Sequence, residues 1–356
     1  MTVSNFSYQA LPMRVAFGDG AVSHLPDELD RAGHMRALVL CTPGQTRIAQ
    51  IAVAALGVRS AGVFDAARMH VPVETVSAAI KYASEVDADS CVAIGGGSSI
   101  GLGKAIALES GLQIIAVPTT YAGSEMTPIW GLTRNGRKQT GRDSVVLPTS
   151  VVYDPQLTTS LTSEISAASG LNAIAHAVEA LYAPDASPVI SLMAEEGVRA
   201  LAGALPAIVD NGSDRVARRA ALYGAWLCGA CLGATTMSLH HKLCHVLGGS
   251  LNLPHAQTHA IVLPYVLAYN EVHTPAAKAA LQRALGVDYA PSVALREIVT
   301  RLPIPGSLSA LGVRSEQLQS VIEQVLASPY ANPTPVEIEG LRDILHRALR
   351  GAAVSE

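Results

Sequence analysis

Apolar positions divide the chain into two textures. In the first half, short unbroken apolar runs, ALVLC at 37–41, CVAIG at 91–95 and IIAVP at 114–118, alternate with longer stretches such as 75–85 and 100–109 that carry helical spacing. Continuous runs closed by Gly or Pro suit parallel strands buried on both faces, and their alternation with helices predicts a doubly wound, mostly parallel sheet. LTRNGRKQT places an Asn135-Gly136 pair between polar arms, the strongest hairpin signal in the chain. From residue 163 onward only long helical patterns follow. PVEIEGLRDILHRALR, for example, builds one stripe from Ile338, Leu341, Ile344, Leu345, Ala348 and Leu349. The expected architecture is an α/β domain, residues 1–157, followed by an all-α domain, residues 158–356.

Composition narrows the function classes. A 356-residue chain that is 49% apolar and 15% charged is neither disordered nor short of core, and its net charge of −4 carries no basic footprint for nucleic acid or an anionic membrane. A small-molecule partner is expected. The N-terminus lacks a basic flank leading into an apolar core, which predicts a cytoplasmic protein with its five cysteines reduced. Cys228 and Cys231 form a C-x-x-C in an apolar helical setting without a second pair, so they read as core residues rather than a zinc or redox site. The uncharged run at 220–239 is long enough to span a bilayer, but its glycines, threonines and tyrosine favour a buried helix.

Candidate chemistry lies in two places. CVAIGGGSSIGLGKAIAL sets Gly95, Gly96, Gly97 and Ser98 between a strand and a helix, where glycine admits a phosphate close to the backbone and the helix N-terminus offers free N–H groups. Thr119 and Thr120 end the next apolar strand, with hydroxyls suited to a pyrophosphate or ribose. In the second half, Asn172 and His176 are four apart, as are His241 and His245, so each pair shares a helix face, and His255 follows after a glycine-rich turn. A single helical histidine is ordinarily a satisfied polar residue. Several in a repeated spacing predict a catalytic cluster of His176, His241, His245 and His255, and three imidazoles are also a ligand set for Zn or Fe(II).

GGGS after a strand, PTTYAGSE, NAIAHAVE and HKLCHVLGG with NLPH together resemble the iron-containing alcohol dehydrogenase superfamily over essentially the whole chain. Asn172, GLGKAIAL, MTPIWGLT and HHKLCHVLGG are similar to its maleylacetate reductase branch. That resemblance implies a dehydroquinate synthase-like architecture, a homodimer, and NADH- or NADPH-dependent reduction of the carbon–carbon double bond of maleylacetate to 3-oxoadipate in aromatic catabolism. It also implies that Asn172, His176, His241 and His255 stand where metal-dependent members have an Asp and three His. His245 matches a further histidine close to the nicotinamide. A neutral amide is a poorer ligand than a carboxylate, so no metal is expected; if one were held, His176, His241 and His255 would hold it. Thr42 stands where a ribose-binding Asp is common, which predicts use of NADPH as well as NADH. Gly101 stands where many relatives carry Asp, and Thr334 where close relatives carry Arg.

In the implied reaction the protein must hold an enolate oxygen and supply a proton, work open to His245 or His241. Lys242, His240 and Arg142 are candidate partners for the dianionic substrate's carboxylates, beside Asn172. Lys242 also suits a solvent-facing helix position, and Arg142 an exposed hairpin. Three other readings compete: a metal-dependent alcohol or polyol dehydrogenase of the same superfamily, a dehydroquinate synthase-like lyase that regenerates its NAD, and a non-catalytic nucleotide sensor.

Overall fold

The computed structural model describes residues 6–11 and 13–354. The chain divides into two compact units, residues 10–161 and residues 162 onward, the second also taking residues 6–9. The break follows Leu161, whereas the texture of the sequence changes near Leu157.

The first unit carries β1 (Arg14–Phe17), α1 (Leu25–Ala32), β2 (Ala37–Leu40), α2 (Thr46–Leu56), β3 (Ser60–Phe64), α3 (Val73–Glu85), β4 (Ser90–Gly95), α4 (Gly97–Ser110), β5 (Gln113–Pro118), β6 (Ile129–Arg134), β7 (Arg137–Arg142) and β8 (Ser150–Tyr153). Six strands form one sheet in the order β1-β8-β5-β4-β2-β3, and every pairing is parallel. Strands β2, β4 and β8 are buried at every residue, as continuous apolar runs require when both faces are covered. The edge strands β1 and β3 are half-exposed, which is why their pattern is faint in the sequence. Leu25 and Leu29 of α1 and Leu56 of α2 pack with Val39, Val92, Ile94, Ile115 and Val117 in one cluster. Each large aliphatic side chain buried there contributes about 1.5–3 kcal/mol.

Neighbours lie on opposite sides of β2: the chain runs outward to β3, then returns across β2 to β4. The order therefore reverses between β2 and β4, and the crevice beyond their carboxyl ends is the ligand position of doubly wound sheets. The expected hairpin is β6–β7, closed by Asn135 at φ 52° and Gly136 at φ 71°, the two positive values a type I′ turn demands.

The second unit has no strand among its described residues. It contains α5 (Ser163–Leu181), α6 (Pro188–Asp210), α7 (Arg215–Ala234), α8 (Leu239–Leu251), α9 (His255–Glu271), α10 (Pro275–Leu285), α11 (Pro291–Arg301), α12 (Leu318–Ala327) and α13 (Ile338–Arg350). Thr162 caps α5 by accepting from the Ile165 amide, and Ser187 and Asp214 cap α6 and α7 in the same way. Helix α5 is buried all round from Ser166 to Leu181 and so runs through the interior of this unit. The uncharged stretch at 220–239 is divided between α7 and α8, which meet at a 94° bend, and among the described residues no single helix is long and apolar enough to cross a membrane. Cys228 and Cys231 are buried, and burial pushes both thiols up. Of the α13 stripe, Leu341, Ile344, Leu345, Ala348 and Leu349 face inward, while Ile338, in the first turn, is 47% exposed. Thr334 is buried, donating to the Tyr269 carbonyl and meeting the His273 ring.

Candidate active site

Three helices of the second unit bring polar side chains together at four-residue spacings: Asn172 and His176 on α5, His240 with Cys244 and His241 with His245 on α8, and His255 with His259 on α9. Glu179 extends the α5 set by a further turn, so positions 172, 176 and 179 form a polar stripe on a helix otherwise packed in apolar surroundings. Helix α8 starts without a side-chain cap of its own. The Glu179 carboxylate replaces it, accepting from the backbone N–H of Ser238 at 2.8 Å and of His240 at 2.6 Å, where the helix dipole favours an anion. The same carboxylate meets His241 Nδ1 at 2.7 Å. His241 Nε2 lies 2.8 Å from His176 Nδ1, and His176 Nε2 lies 3.3 Å from the Asn172 amide nitrogen. Asn172 Oδ1 is buried and has no hydrogen-bond partner.

His245 and His255 are exposed, and their rings stack at 6.3 Å with planes 17° apart. Glycines 248 and 249 belong to the last turn of α8; the turn that leads to His255 is Asn252 to Pro254, with Asn252 left-handed at φ 53°. Lys242 is half-buried and holds its Nζ 5.3 Å from the centre of the Tyr330 ring, a cation–π contact.

His240 departs from expectation. It is fully buried, its Nε2 lies 3.1 Å from His259 Nδ1, and burial together with the surrounding imidazoles holds both rings well below the usual histidine pKa. A neutral, enclosed ring cannot pair with a substrate carboxylate, so His240 is a core residue. Arg142 closes β7 in the other unit.

Two donor sets bear on a metal. His176, His241, His255 and Asn172 fit a divalent ion poorly, because the fourth member is a neutral amide and the His176–His241 contact is a direct hydrogen bond. His240, Cys244 and His259 bring one donor atom each within 4.8 Å of the others. Yet His240 Nδ1 and His259 Nε2 are buried without partners, whereas a ligating histidine almost always secures its second nitrogen.

In the first unit, the glycine loop lies at the point where the strand order reverses. Gly95 has φ 140° and faces Gln45 and Ser99, so a Cβ there would collide with both; a Cβ on Gly96 would press on Thr120 at 3.0 Å. The first turn of α4 has no side-chain cap, and Ser99 Oγ within it is buried and unpartnered. An uncapped helix start behind a loop of glycines fits the pyrophosphate of a dinucleotide, which Gly95, Gly96, Gly97 and Ser98 would hold. Thr42 donates to Gln45 Oε1 at 3.3 Å, and Gln45 donates to Thr119 Oγ1 at 3.1 Å, tying together the ends of β2 and β5. Thr119 is buried and braces the loop, while Thr120 beside it is partly exposed.

Sequence reasoning passed over Glu179, His259 and Gln45. The first two were within its reach: Glu179 is three residues from His176 in NAIAHAVE, and His259 repeats the four-residue spacing from His255. Gln45 acts through strand order, for which LVLCTPGQ carries no signal.

A parallel-sheet unit with this loop and a helical unit with this polar set define a class of nicotinamide-type oxidoreductase scaffold. The chain matches the family "Iron-containing alcohol dehydrogenase" over residues 12–155 and "Fe-containing alcohol dehydrogenase family, C-terminal" over residues 166–349, and it belongs to the iron-containing alcohol dehydrogenase family. Within that family it is similar to the maleylacetate reductase of Burkholderia cepacia, 53% identical over 98% of this chain and 99% of that one. The maleylacetate reductase of Sphingobium indicum is likewise 53% identical, over 97% and 98%. The crystal structure of the maleylacetate reductase of Agrobacterium tumefaciens superimposes with a TM-score of 0.95 at 49% identity, covering 99% of this chain and 100% of that one.

Proposed function

We propose that this protein is a maleylacetate reductase, reducing the carbon–carbon double bond of maleylacetate to give 3-oxoadipate with NADH or NADPH. The observation that carries the reading is Asn172: an amide, bonded to His176, occupies the place of the fourth metal ligand in a chain about half identical, end to end, to reductases of that name. When bound, the nicotinamide supplies hydride to the alkene carbon β to the ketone. The electron pair moves to the ketone oxygen as an enolate, and a proton then adds at the α carbon. His245, exposed at the surface of the helical unit, is the proposed proton donor, and the partly exposed Lys242 a proposed partner for a substrate carboxylate. A carboxylate at position 172 would oppose the dianionic substrate, and the amide does not.

The test is the fall in NADH absorbance on adding fresh maleylacetate, with and without a strong chelator. Rapid oxidation indifferent to chelator is expected. Oxidation abolished by chelator and restored by Fe(II) or Zn would replace this reading with a metal-dependent alcohol dehydrogenase. His245→Ala is expected to lower kcat at least ~100-fold with KM within about threefold, since a proton donor acts in the transition state. Unchanged kcat would remove His245 from the chemistry.

A further inference from the structure

The contacts running from Glu179 to Asn172 have a direction. A carboxylate only accepts, and Glu179 already accepts from two backbone N–H groups, so the proton in its 2.7 Å contact with His241 sits on Nδ1 of the ring. A neutral imidazole carries one proton; His241 Nε2 is then an acceptor, and the 2.8 Å bond to His176 must be donated by His176 Nδ1. His176 Nε2 becomes an acceptor in turn. What faces it at 3.3 Å is the Asn172 amide nitrogen, a donor, and the Asn172 oxygen is left without a partner. Four side chains on two helices thus agree on one polarity.

We propose that Glu179 is a positioning residue that fixes His241 and His176 as Nδ1–H tautomers, and that Asn172 is required as the N–H donor terminating the chain. Both ring protons are committed inside the network. Neither His241 nor His176 therefore has an N–H to give a substrate, and of the two histidines eligible to protonate the enolate, His245 is the one assigned. The tautomer assignment rests on geometry alone, and its kinetic consequence rests on the reductase reading above.

Polarity can be reversed by exchanging the ends. Glu179→Gln can present its amide N–H to His241 Nδ1, turning His241 and His176 into Nε2–H tautomers that end on the oxygen of Asn172. Asn172→Asp alone sets an acceptor against the His176 lone pair. The double variant, with its carboxylate now at position 172, restores the side-chain chain in the opposite sense, while the Ser238 N–H loses the oxygen it shared with His241.

Nitrogen-15 spectra of the histidine-labelled full chain distinguish protonated from bare ring nitrogens, with signals assigned through single His→Gln variants. Wild type is expected to show Nδ1–H at both His241 and His176, and Glu179→Gln to move both protons to Nε2. Nε2–H or doubly protonated rings in wild type would overturn the proposal. In NADH-coupled assays, Glu179→Gln and Asn172→Asp are each expected to lose about tenfold or more in kcat, with the double variant recovering above both single variants. A double variant no better than the poorer single one would mean that Glu179 only caps α8. If Glu179→Gln fails to fold, Asn172→Asp still decides: wild-type kcat in that folded variant would overturn the proposal. Should wild type not reduce maleylacetate, the reductase reading fails while the spectra still report on the chain.

Discussion

The two buried imidazoles His240 and His259 impose a pH dependence on stability. Both are held well below the reference value of 6.5 by burial and then by neighbouring rings, so the folded state stays unprotonated where the unfolded chain takes up protons. Above 6.5 neither state binds a proton and nothing is lost. As pH falls below 6.5, stability falls by about 1.4 kcal/mol per pH unit for each ring until the folded group itself titrates. Urea unfolding at pH 7.5 and 5.5 should record this loss, and His259→Gln should flatten it; parallel behaviour of variant and wild type would show that these rings are not its source. His240 also marks where local sequence ends as a guide. It is adjacent to His241 in the chain, yet only the packing of α9, bringing His259 against it, decides that one ring is sealed in the core and the other joined to Glu179.

Among the elements, helices were the more legible, because four-residue spacing survives in sequence without knowledge of neighbours. The pairs on α5 and α8 could be read directly, and the α9 pair follows the same rule. Strand order was not legible: nothing in ALVLC or CVAIG says that the sheet reverses between them, and so the link from Thr42 through Gln45 to Thr119 became visible only in three dimensions. The loop after β2 nevertheless carries a specificity prediction. Thr42→Asp would place a carboxylate beside the 2′-phosphate of NADPH, and kcat/KM for NADPH should fall about tenfold or more while that for NADH stays within about threefold. Equal losses with both cofactors would show that position 42 does not face the ribose.

For the molecule as a whole, the division into a sheet unit and a helical unit was legible as a change of texture, since period-free apolar runs stop where long amphipathic patterns begin. Each unit holds its own apolar cluster, one around α1, α2 and the sheet, the other around α8, α9, α12 and α13. A ligand taken by the glycine loop should stabilise the sheet unit by mass action, about 2.7 kcal/mol at a hundredfold excess over Kd. Amide exchange with and without NADH measures this, with slowing expected first in β4, α4 and β5; protection confined to α8 and α9 would place the dinucleotide elsewhere. The direction of the Glu179–Asn172 chain carries a last consequence, for inheritance. Asn and Asp differ by one codon base, as do Glu and Gln, so the two residues that orient the network are each a single mutation from the residue that contradicts it. On the proposed polarity, either mutation alone is expected to be harmful and the pair together better tolerated, and a carboxylate acquired first at 172 would be eased by a cation between it and His176.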